Sequence, residues 1–242
     1  ERGSEAGTDA LLDGPAAEEG ASVLDVGGES TRPRGPYGEG GAAVPLDEER
    51  RRVLPLLEAL EKRAFPIPVS VDTRKTVVAR EALERGASII NDVSALGDEG
   101  MAETIDRSGA TAILMHMQGT PETMQADPHY GDVVAEVEAF LRERRARVKK
   151  ALVDPGIGFG KTSEHNWALL RATSRLATIA PVCVGVSRKG FLGNLLGGRP
   201  VEERIGAGLG AALATVAAGA RLIRTHDVRI TVDALRAFEA AR

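Results

Sequence analysis

The stretch Gly86-Ala87-Ser88-Ile89-Ile90-Asn91 has the form that decides the fold of this chain. A helix-like segment ends in Gly-Ala, an apolar run follows, and the run finishes on a polar side chain. The same form recurs at 20–25, 109–116 and 219–226. Glycine suits the left-handed backbone that closes a helix, and the alanine lets the chain turn directly into a buried strand. Repeated units of this kind predict a parallel sheet, and their polar strand ends predict a functional site more than a core.

Seven segments are rich in Val, Ile and Leu with little alternation, which is typical of strands buried on both faces. Such alternating β and α segments predict either a (β/α)8 barrel or a doubly wound sheet. Polar strand ends are spread over nearly all units, which favours an α/β TIM barrel, in one domain over 1–242, above an open sheet with one switch point. The predicted strands lie at 22–28, 68–73, 88–94, 110–117, 151–158, 182–187 and 221–228, and the predicted helices at 46–63, 74–85, 98–108, 131–148, 164–176 and 201–218.

A barrel of this type has eight strands, one more than the sequence supplies. The segment before Val23 has a helical pattern, so we expect the first strand and its loop to be missing from this chain. The helix at 131–148 also runs into the next strand with almost no connector between Arg147 and Leu152, although such loops usually take about 2–6 residues. We therefore expect a short segment to be absent there as well.

Composition is typical of a soluble globular protein, with 43% hydrophobic and 27% charged residues. A formal net charge of −4 argues against a nucleic-acid-binding protein. Cys183 is the only cysteine, so no internal disulfide can form and we expect a reducing compartment. No apolar stretch approaches the about 20 residues that span a bilayer. No signal peptide is visible, although the chain opens without methionine, and we expect a cytoplasmic protein.

The segment from Asp154 to Thr162 imitates two phosphate-binding motifs. A P-loop needs glycine where Pro155 stands, and the dinucleotide fingerprint needs glycine where Lys161 stands. Both motifs are therefore rejected. What remains is a strand that ends at Asp154 and a turn that carries Phe159.

Three polar side chains follow neighbouring predicted strands: Asp72, Asn91 and Asp154. Asp72 could instead cap the next helix, because aspartate is a favoured capping residue. Thr73 could serve as that cap, and Ser94 is the better cap after Asn91, which leaves both for a site. Together the three would bind a flat heterocycle with amino and ring N–H donors, since a carboxylate accepts two parallel bonds from such an edge.

The opposite pole of the predicted site is cationic. Lys189 follows the sixth predicted strand, and Arg224 and His226 end the last one, where barrels commonly bind phosphate. Arg32, in the early Gly- and Pro-rich loop, could reach the same anion. In the other interpretation these side chains are satisfied by a nearby carboxylate such as Asp227, and that alternative stays open.

The remaining candidates carry less chemistry. His116 sits in an apolar run and fits a core residue as well as a ligand. No residues have metal-ligand spacing on one helix, and Ser187 is not in a nucleophile-elbow sequence, so nucleophilic catalysis is not expected.

Seven motifs in order, from about residue 20 to the C-terminus, resemble the dihydropteroate synthase family. They are Gly27–Pro33, Val71–Thr73, Ile90–Ser94, Met115–Pro121, Asp154–Lys161, Ser187–Gly193 and Arg224–Val228. The resemblance implies a (β/α)8 barrel that joins p-aminobenzoate to 6-hydroxymethyl-7,8-dihydropterin pyrophosphate, with Mg²⁺ assisting. It also implies a homodimer. The family's Asn that contacts Mg²⁺ lies in the strand and loop expected to be missing, so no metal ligand is assigned here.

The same resemblance implies roles for individual residues. Catalysis falls to Lys189, Asp154, Arg224 and His226. The pterin pyrophosphate would be bound by Thr31, Asp72, Asn91, Met115, Asp154, Phe159, Lys189, Arg224 and His226, and p-aminobenzoate by Arg32, Pro33, Phe159 and Ser187.

Three other functions are compatible with parts of the sequence. A methyltetrahydrofolate:corrinoid methyltransferase shares the pterin pole but has no need of Arg224, His226 and the Ser-Arg-Lys segment. A non-catalytic pterin-binding paralogue is supported only by the missing segment. A phosphosugar barrel fits the cationic pole but leaves the acidic one unexplained.

Overall fold

The computed structural model describes residues 15–30, 34–35, 38–39 and 43–242, and they form an α/β structure around a seven-stranded parallel sheet. The strands are β1 Leu24–Gly27, β2 Arg34–Gly35, β3 Gly38–Glu39, β4 Val69–Asp72, β5 Ile89–Asp92, β6 Thr111–Met115, β7 Ala151–Asp154, β8 Val182–Gly185 and β9 Ala220–Arg224. The helices are α1 Pro15–Glu18, α2 Leu46–Lys62, α3 Thr76–Leu83, α4 Met101–Ser108, α5 Val133–Arg145, α6 Ser163–Arg171, α7 Thr173–Leu176, α8 Gly190–Leu195, α9 Ile205–Ala217 and α10 Val228–Ala240, with a 3₁₀ turn at Val201–Arg204.

The sheet order is β1-β4-β5-β6-β7-β8-β9, and β2 and β3 form a separate antiparallel pair. The parallel register aligns the carboxyl ends of neighbouring strands. Asp72 pairs with Asn91, and Met115 pairs with Asp154. Polar residues that are far apart in the sequence are therefore neighbours at one edge of the sheet.

The sheet curls so that its two outer strands approach each other. Arg224 on β9 donates from Nε to Oδ2 of Asp25 on β1 over 2.7 Å. This curled seven-stranded parallel sheet fits a TIM barrel. Within the described residues no strand lies between β9 and β1. The expectation of a missing first strand stays a prediction, as does the single-domain assignment.

The core explains the strand composition. Each of the five central strands contributes a fully buried aliphatic side chain, and each such burial stabilises the fold by about 1.5–3 kcal/mol. Helix α2 packs an apolar face on the first strands, and Phe140 of α5 contacts both halves of the core. The buried strand residues are Val71, Ile90, Leu114, Val153 and Val184.

The Gly-Ala junctions behave as the sequence predicts. Gly20, Gly86, Gly109 and Gly219 take left-handed φ values of 93°, 85°, 74° and 105°. A Cβ atom added at Gly86 would contact nothing within 4 Å, so this glycine is required by backbone conformation rather than by space.

All seven predicted strands and six predicted helical regions are present, with two differences. Helices α8 and α10 were not predicted from the sequence. The helix before β7 is shorter than predicted, because α5 ends at Arg145 and residues 146–150 form a connector of ordinary length; the expected absence of a short segment there stays a prediction. Arg145 donates from Nη1 to the carbonyl of Val148 over 2.6 Å, which closes this turn. In the described part of the chain, no helix is both long and apolar enough to cross a membrane.

Candidate active site

A cavity of about 650 Å³ opens at the carboxyl ends of the strands. The early-loop residues Thr31, Arg32 and Pro33 lie outside the described residues. Every other residue predicted for the site lines this one cavity: Asp72, Asn91, Met115, Asp154, Phe159, Ser187, Lys189, Arg224 and His226.

The acidic pole is a connected group. Asn91 donates from Nδ2 to Asp25 Oδ2 over 3.2 Å, and Arg224 donates to the same oxygen. Arg224 Nη2 also lies 3.9 Å from Asp72 Oδ2. Burial, and then the nearby charge of Asp25, raise the pKa of Asp72 to about 8. The ionised form of Asp72 is therefore disfavoured by its surroundings, and Arg224 is the group that favours it.

The structure excludes the capping role for Asp72. The first amide of α3, on Thr76, donates to Asp98 Oδ2 over 2.7 Å. Thr73 does not cap the amides within the helix either: its hydroxyl donates to buried Glu49 over 2.6 Å and accepts from the amide of Lys75, the residue before α3, over 3.2 Å. Asp72 is thus left on the cavity wall, with 16% of its side chain exposed.

Asp154 forms the floor of the cavity. Its Oδ1 accepts from the Gly156 amide over 2.7 Å, and burial raises the pKa of this carboxyl group. Gly156 has φ +68°, and a Cβ atom there would lie 1.8 Å from the carbonyl oxygen of His116. The turn after β7 is therefore pressed against the chain that leaves β6, and only glycine fits at the contact.

Lys161 fixes the same turn and does not act as a P-loop lysine. Its buried Nζ lies 3.0 Å from His116 Nδ1 and donates to the carbonyls of His116 and Phe159 over 3.2 and 2.9 Å. Burial lowers the pKa of Lys161 to about 7. Burial and the Lys161 charge lower the pKa of His116 to about 3, so this histidine is a neutral, buried partner of Lys161.

The cationic pole comes from the exits of β8 and β9. Lys189 Nζ lies 4.3 Å from the centre of the Phe159 ring, a cation–π contact. Ser187 Oγ lies 3.0 Å from His226 Nδ1. Asp227 forms its ion pair with Arg188, so the alternative of a nearby carboxylate partner holds for Arg224 with another carboxylate in place of Asp227. The carboxylate partner of Arg224 is Asp25.

Sequence reasoning missed several contributors. Asp25 ends the first Gly-Ala unit as Asn91 ends the second, so the repeat itself pointed to it. Gln125 donates to the Gly158 carbonyl over 2.7 Å, and Asn166 Oδ1 accepts from the Gly158 amide over 2.8 Å. No spacing in the sequence marks these two residues, because they act through the backbone of a distant turn.

The described residues contain no group of three or more His, Cys, Asp or Glu side chains that could hold a metal ion. Asp25 and Asp72, two carboxylates of the acidic pole, share Arg224 as a counter-charge. That donor set does not by itself fit a divalent cation, which binds to several oxygen ligands.

A family model described as pterin binding enzyme matches residues 14–226. Dihydropteroate synthase of Escherichia coli strain K12 is 45% identical over 232 residues, which cover 91% of this chain and 78% of that protein. A solved structure of Xanthomonas albilineans dihydropteroate synthase with 4-aminobenzoic acid matches with a TM-score of 0.87 at 43% identity, covering 98% of this chain and 84% of that one. Burkholderia cenocepacia dihydropteroate synthase complexed with 7,8-dihydropteroate has a TM-score of 0.87 at 43% identity, covering 97% and 86%.

Proposed function

The chain belongs to the pterin-binding enzyme family, among the dihydropteroate synthases, and from this premise we propose how its cavity works. The reaction condenses 6-hydroxymethyl-7,8-dihydropterin pyrophosphate with p-aminobenzoate to give 7,8-dihydropteroate and pyrophosphate. The observation that carries the proposal is that one cavity collects the predicted residues. Residues predicted from motifs spread along the chain meet there, with acceptors at one pole and cations at the other.

The pterin would bind at the acidic pole. The acidic pole presents the carboxylates of Asp72 and Asp154 and the amide of Asn91. A flat ring with amino and ring N–H donors can donate two parallel hydrogen bonds to one carboxylate. Met115 and Phe159 give this part of the cavity apolar walls. Burial raises the pKa of the Asp154 carboxyl group. A ring that donates hydrogen bonds to it would offset this effect, since such bonds favour the ionised form.

The pyrophosphate would bind at the cationic pole. Arg224 and His226 stand at the exit of β9, and we propose that Thr31 joins them. A guanidinium can bind two phosphate oxygens at once. Arg224 is well placed for this because Asp25 fixes its Nε while 47% of its side chain remains exposed.

The p-aminobenzoate would lie beside Phe159 and Ser187. We propose that Arg32 and Pro33, from the loop after β1, complete this subsite. The Ser187 hydroxyl is already oriented by His226, whose amide also donates to it over 3.3 Å. For the reaction, the amine of p-aminobenzoate must face the pterin methylene, and Phe159 and Ser187 line the same cavity as the residues of the acidic pole.

The chemistry follows from the two poles. The bond between the methylene carbon and the pyrophosphate oxygen breaks, pyrophosphate takes the electron pair, and the dihydropterin ring stabilises the cation that remains. The amine nitrogen then forms the new bond to carbon and loses a proton. Arg224, His226 and Lys189 stabilise the departing charge, an effect that often supplies the largest part of catalysis. Asp72 and Asp154 stabilise the cationic ring.

Four further features are proposals from the resemblance. Mg²⁺ would assist the departure of pyrophosphate, but no step above depends on it, since the described residues do not form its site. We propose a homodimer and a cytoplasmic location. We also propose that the first strand and loop of the family's barrel would occupy the gap between β9 and β1.

Pyrophosphate release tests the proposal. Purified protein is given the pterin pyrophosphate, and pyrophosphate is measured with and without p-aminobenzoate. We expect release to depend on p-aminobenzoate. A folded protein that releases none with both substrates present would overturn the proposal, and it would bring back the methyltransferase and the non-catalytic paralogue.

A further inference from the structure

Arg188 has an unfavourable backbone at the centre of the site. It lies between Ser187 and Lys189, at the exit of β8, with φ +61°. A residue with a Cβ atom rarely adopts this left-handed conformation, and such conformations persist only where surrounding contacts enforce them. A contact with the surrounding structure must therefore hold the Arg188 backbone at this positive φ value.

Asp227 supplies that contact. Arg188 donates from Nη2 to Asp227 Oδ1 over 2.5 Å and from Nε to Oδ2 over 3.2 Å, so the two side chains form a bidentate ion pair. The Asp227 carboxylate is 16% exposed, and its bond to Arg188 lowers its pKa. Its backbone is fixed as well, because its carbonyl accepts from the Thr231 hydroxyl over 2.7 Å. Asp227 is thus a rigid anchor at the start of α10.

The anchored residue stands between two side chains of the proposed reaction. Ser187, just before it, contacts His226, which immediately precedes Asp227. Lys189, just after it, lies over the Phe159 ring. A change in the Arg188 backbone would turn both side chains relative to the cavity. The ion pair therefore joins the exits of β8 and β9 at the point where four site residues meet.

We propose that the Arg188–Asp227 ion pair is a positioning device for the condensation: it holds Arg188 in the left-handed conformation and thereby directs Ser187 and Lys189 into the cavity beside His226. This inference rests on the proposed function. Neither residue of the pair needs to touch the reacting atoms. Displacements of about 1 Å at a reacting centre can cost a hundredfold in rate, so a device of this kind carries catalytic weight.

A variant that relieves the backbone strain at Arg188 distinguishes a positioning role of the ion pair from simple stabilisation of the fold. Glycine adopts positive φ without penalty, so Arg188→Gly removes both the strain and the ion pair. We expect its melting temperature to equal or exceed that of the wild type, while kcat falls by about tenfold or more. Ala64→Gly is the matched control. Ala64 also has positive φ, at +49°, but it follows α2 at the opposite end of the strands, so activity should not change.

Because Arg188 lines the cavity, its replacement removes a cavity side chain as well as the ion pair. The test therefore also needs a change at its partner, Asp227. Asp227→Asn leaves Arg188 in place and removes only the charge that anchors it. We expect kcat to fall about as far as in Arg188→Gly, and the double variant to be no slower than either single one, as residues of one device are not additive. If Arg188→Gly fails to fold, Asp227→Asn alone decides.

Loss of kcat at a preserved melting temperature, with a double variant no slower than either single variant, supports the positioning device. Unchanged kcat in Asp227→Asn overturns it, and so do additive losses, which would mean that each residue acts separately. Failure of the proposed function itself is distinguishable, because the wild-type protein would then form no product in the same assay.

Discussion

Arg224 on the last strand of the sheet donates from Nε to Oδ2 of Asp25 on the first strand over 2.7 Å. This contact spans 199 positions of the sequence and holds the two outer strands near each other. It also fixes a guanidinium between the acidic pole and the place proposed for pyrophosphate. In the proposed mechanism, the ion pair that links the two outer strands therefore also orients the group that stabilises the transition state.

Asp25→Asn should weaken this arrangement. The amide keeps the shape of the side chain but removes the charge that orients Arg224, so we expect kcat to fall by about ten- to a hundredfold. Steady-state kinetics with both substrates measure this. Asp47→Asn is the control, because Asp47 also pairs with an arginine, Arg50, but is 84% exposed and is not among the residues that line the cavity. Equal activity of the two variants would contradict the role of Asp25.

Lys189→Ala and Asp154→Ala should each abolish turnover, with losses of at least about a hundredfold. Lys189 supplies positive charge beside Phe159, and Asp154 supplies the floor of the proposed pterin pocket. Single-turnover rates, measured on variants whose circular dichroism matches the wild type, make the comparison. Near-normal turnover in either variant would sink the assignment of that residue.

Asp72 should make stability depend on pH. Its pKa is raised from 3.8 to about 8 in the native protein, so between these values the native state binds more protons than the unfolded chain. The free energy of unfolding should therefore fall as the pH rises through this window. Urea denaturation at pH 5 and pH 8 measures the decline, and Asp72→Asn should reduce it. An identical decline in wild type and variant would show that Asp72 is not responsible.

Gly156→Ala should be far more destabilising than Gly86→Ala. Both glycines have positive φ, so alanine carries about 1 kcal/mol of backbone strain at either position. At Gly156 the added Cβ atom would also lie 1.8 Å from the His116 carbonyl oxygen, whereas at Gly86 it meets nothing within 4 Å. We expect Gly156→Ala to cost more than about 4 kcal/mol and Gly86→Ala about 1. Thermal unfolding of both proteins checks this, and equal losses would contradict the close packing of the turn.

The sequence predicted the sheet because its signals are local. A glycine that must adopt positive φ, followed by an apolar run, is visible in a few residues, as at Gly86 and Gly109. Polar strand ends such as Asp72 and Asn91 were found for the same reason, because a parallel sheet always brings its carboxyl ends together.

Contacts between distant side chains could not be predicted. The partner of Asp227 is Arg188 and the partner of Arg224 is Asp25, and either carboxylate could have paired with either cation on sequence evidence. The burial of Lys161 was equally hidden. Its neighbours only imitate a phosphate-binding loop, and nothing in them indicates that its partners are a histidine ring and two carbonyl groups.

The most direct measurement follows the amine nitrogen. The wild-type protein is incubated with the pterin pyrophosphate and p-aminobenzoate carrying an isotopic label on its amine, and products are separated by mass spectrometry. We expect 7,8-dihydropteroate with the label in the bridging nitrogen, in amounts equal to the pyrophosphate released. Pyrophosphate release with the label still in free p-aminobenzoate, or no reaction in protein that is folded, would contradict the condensation in this cavity.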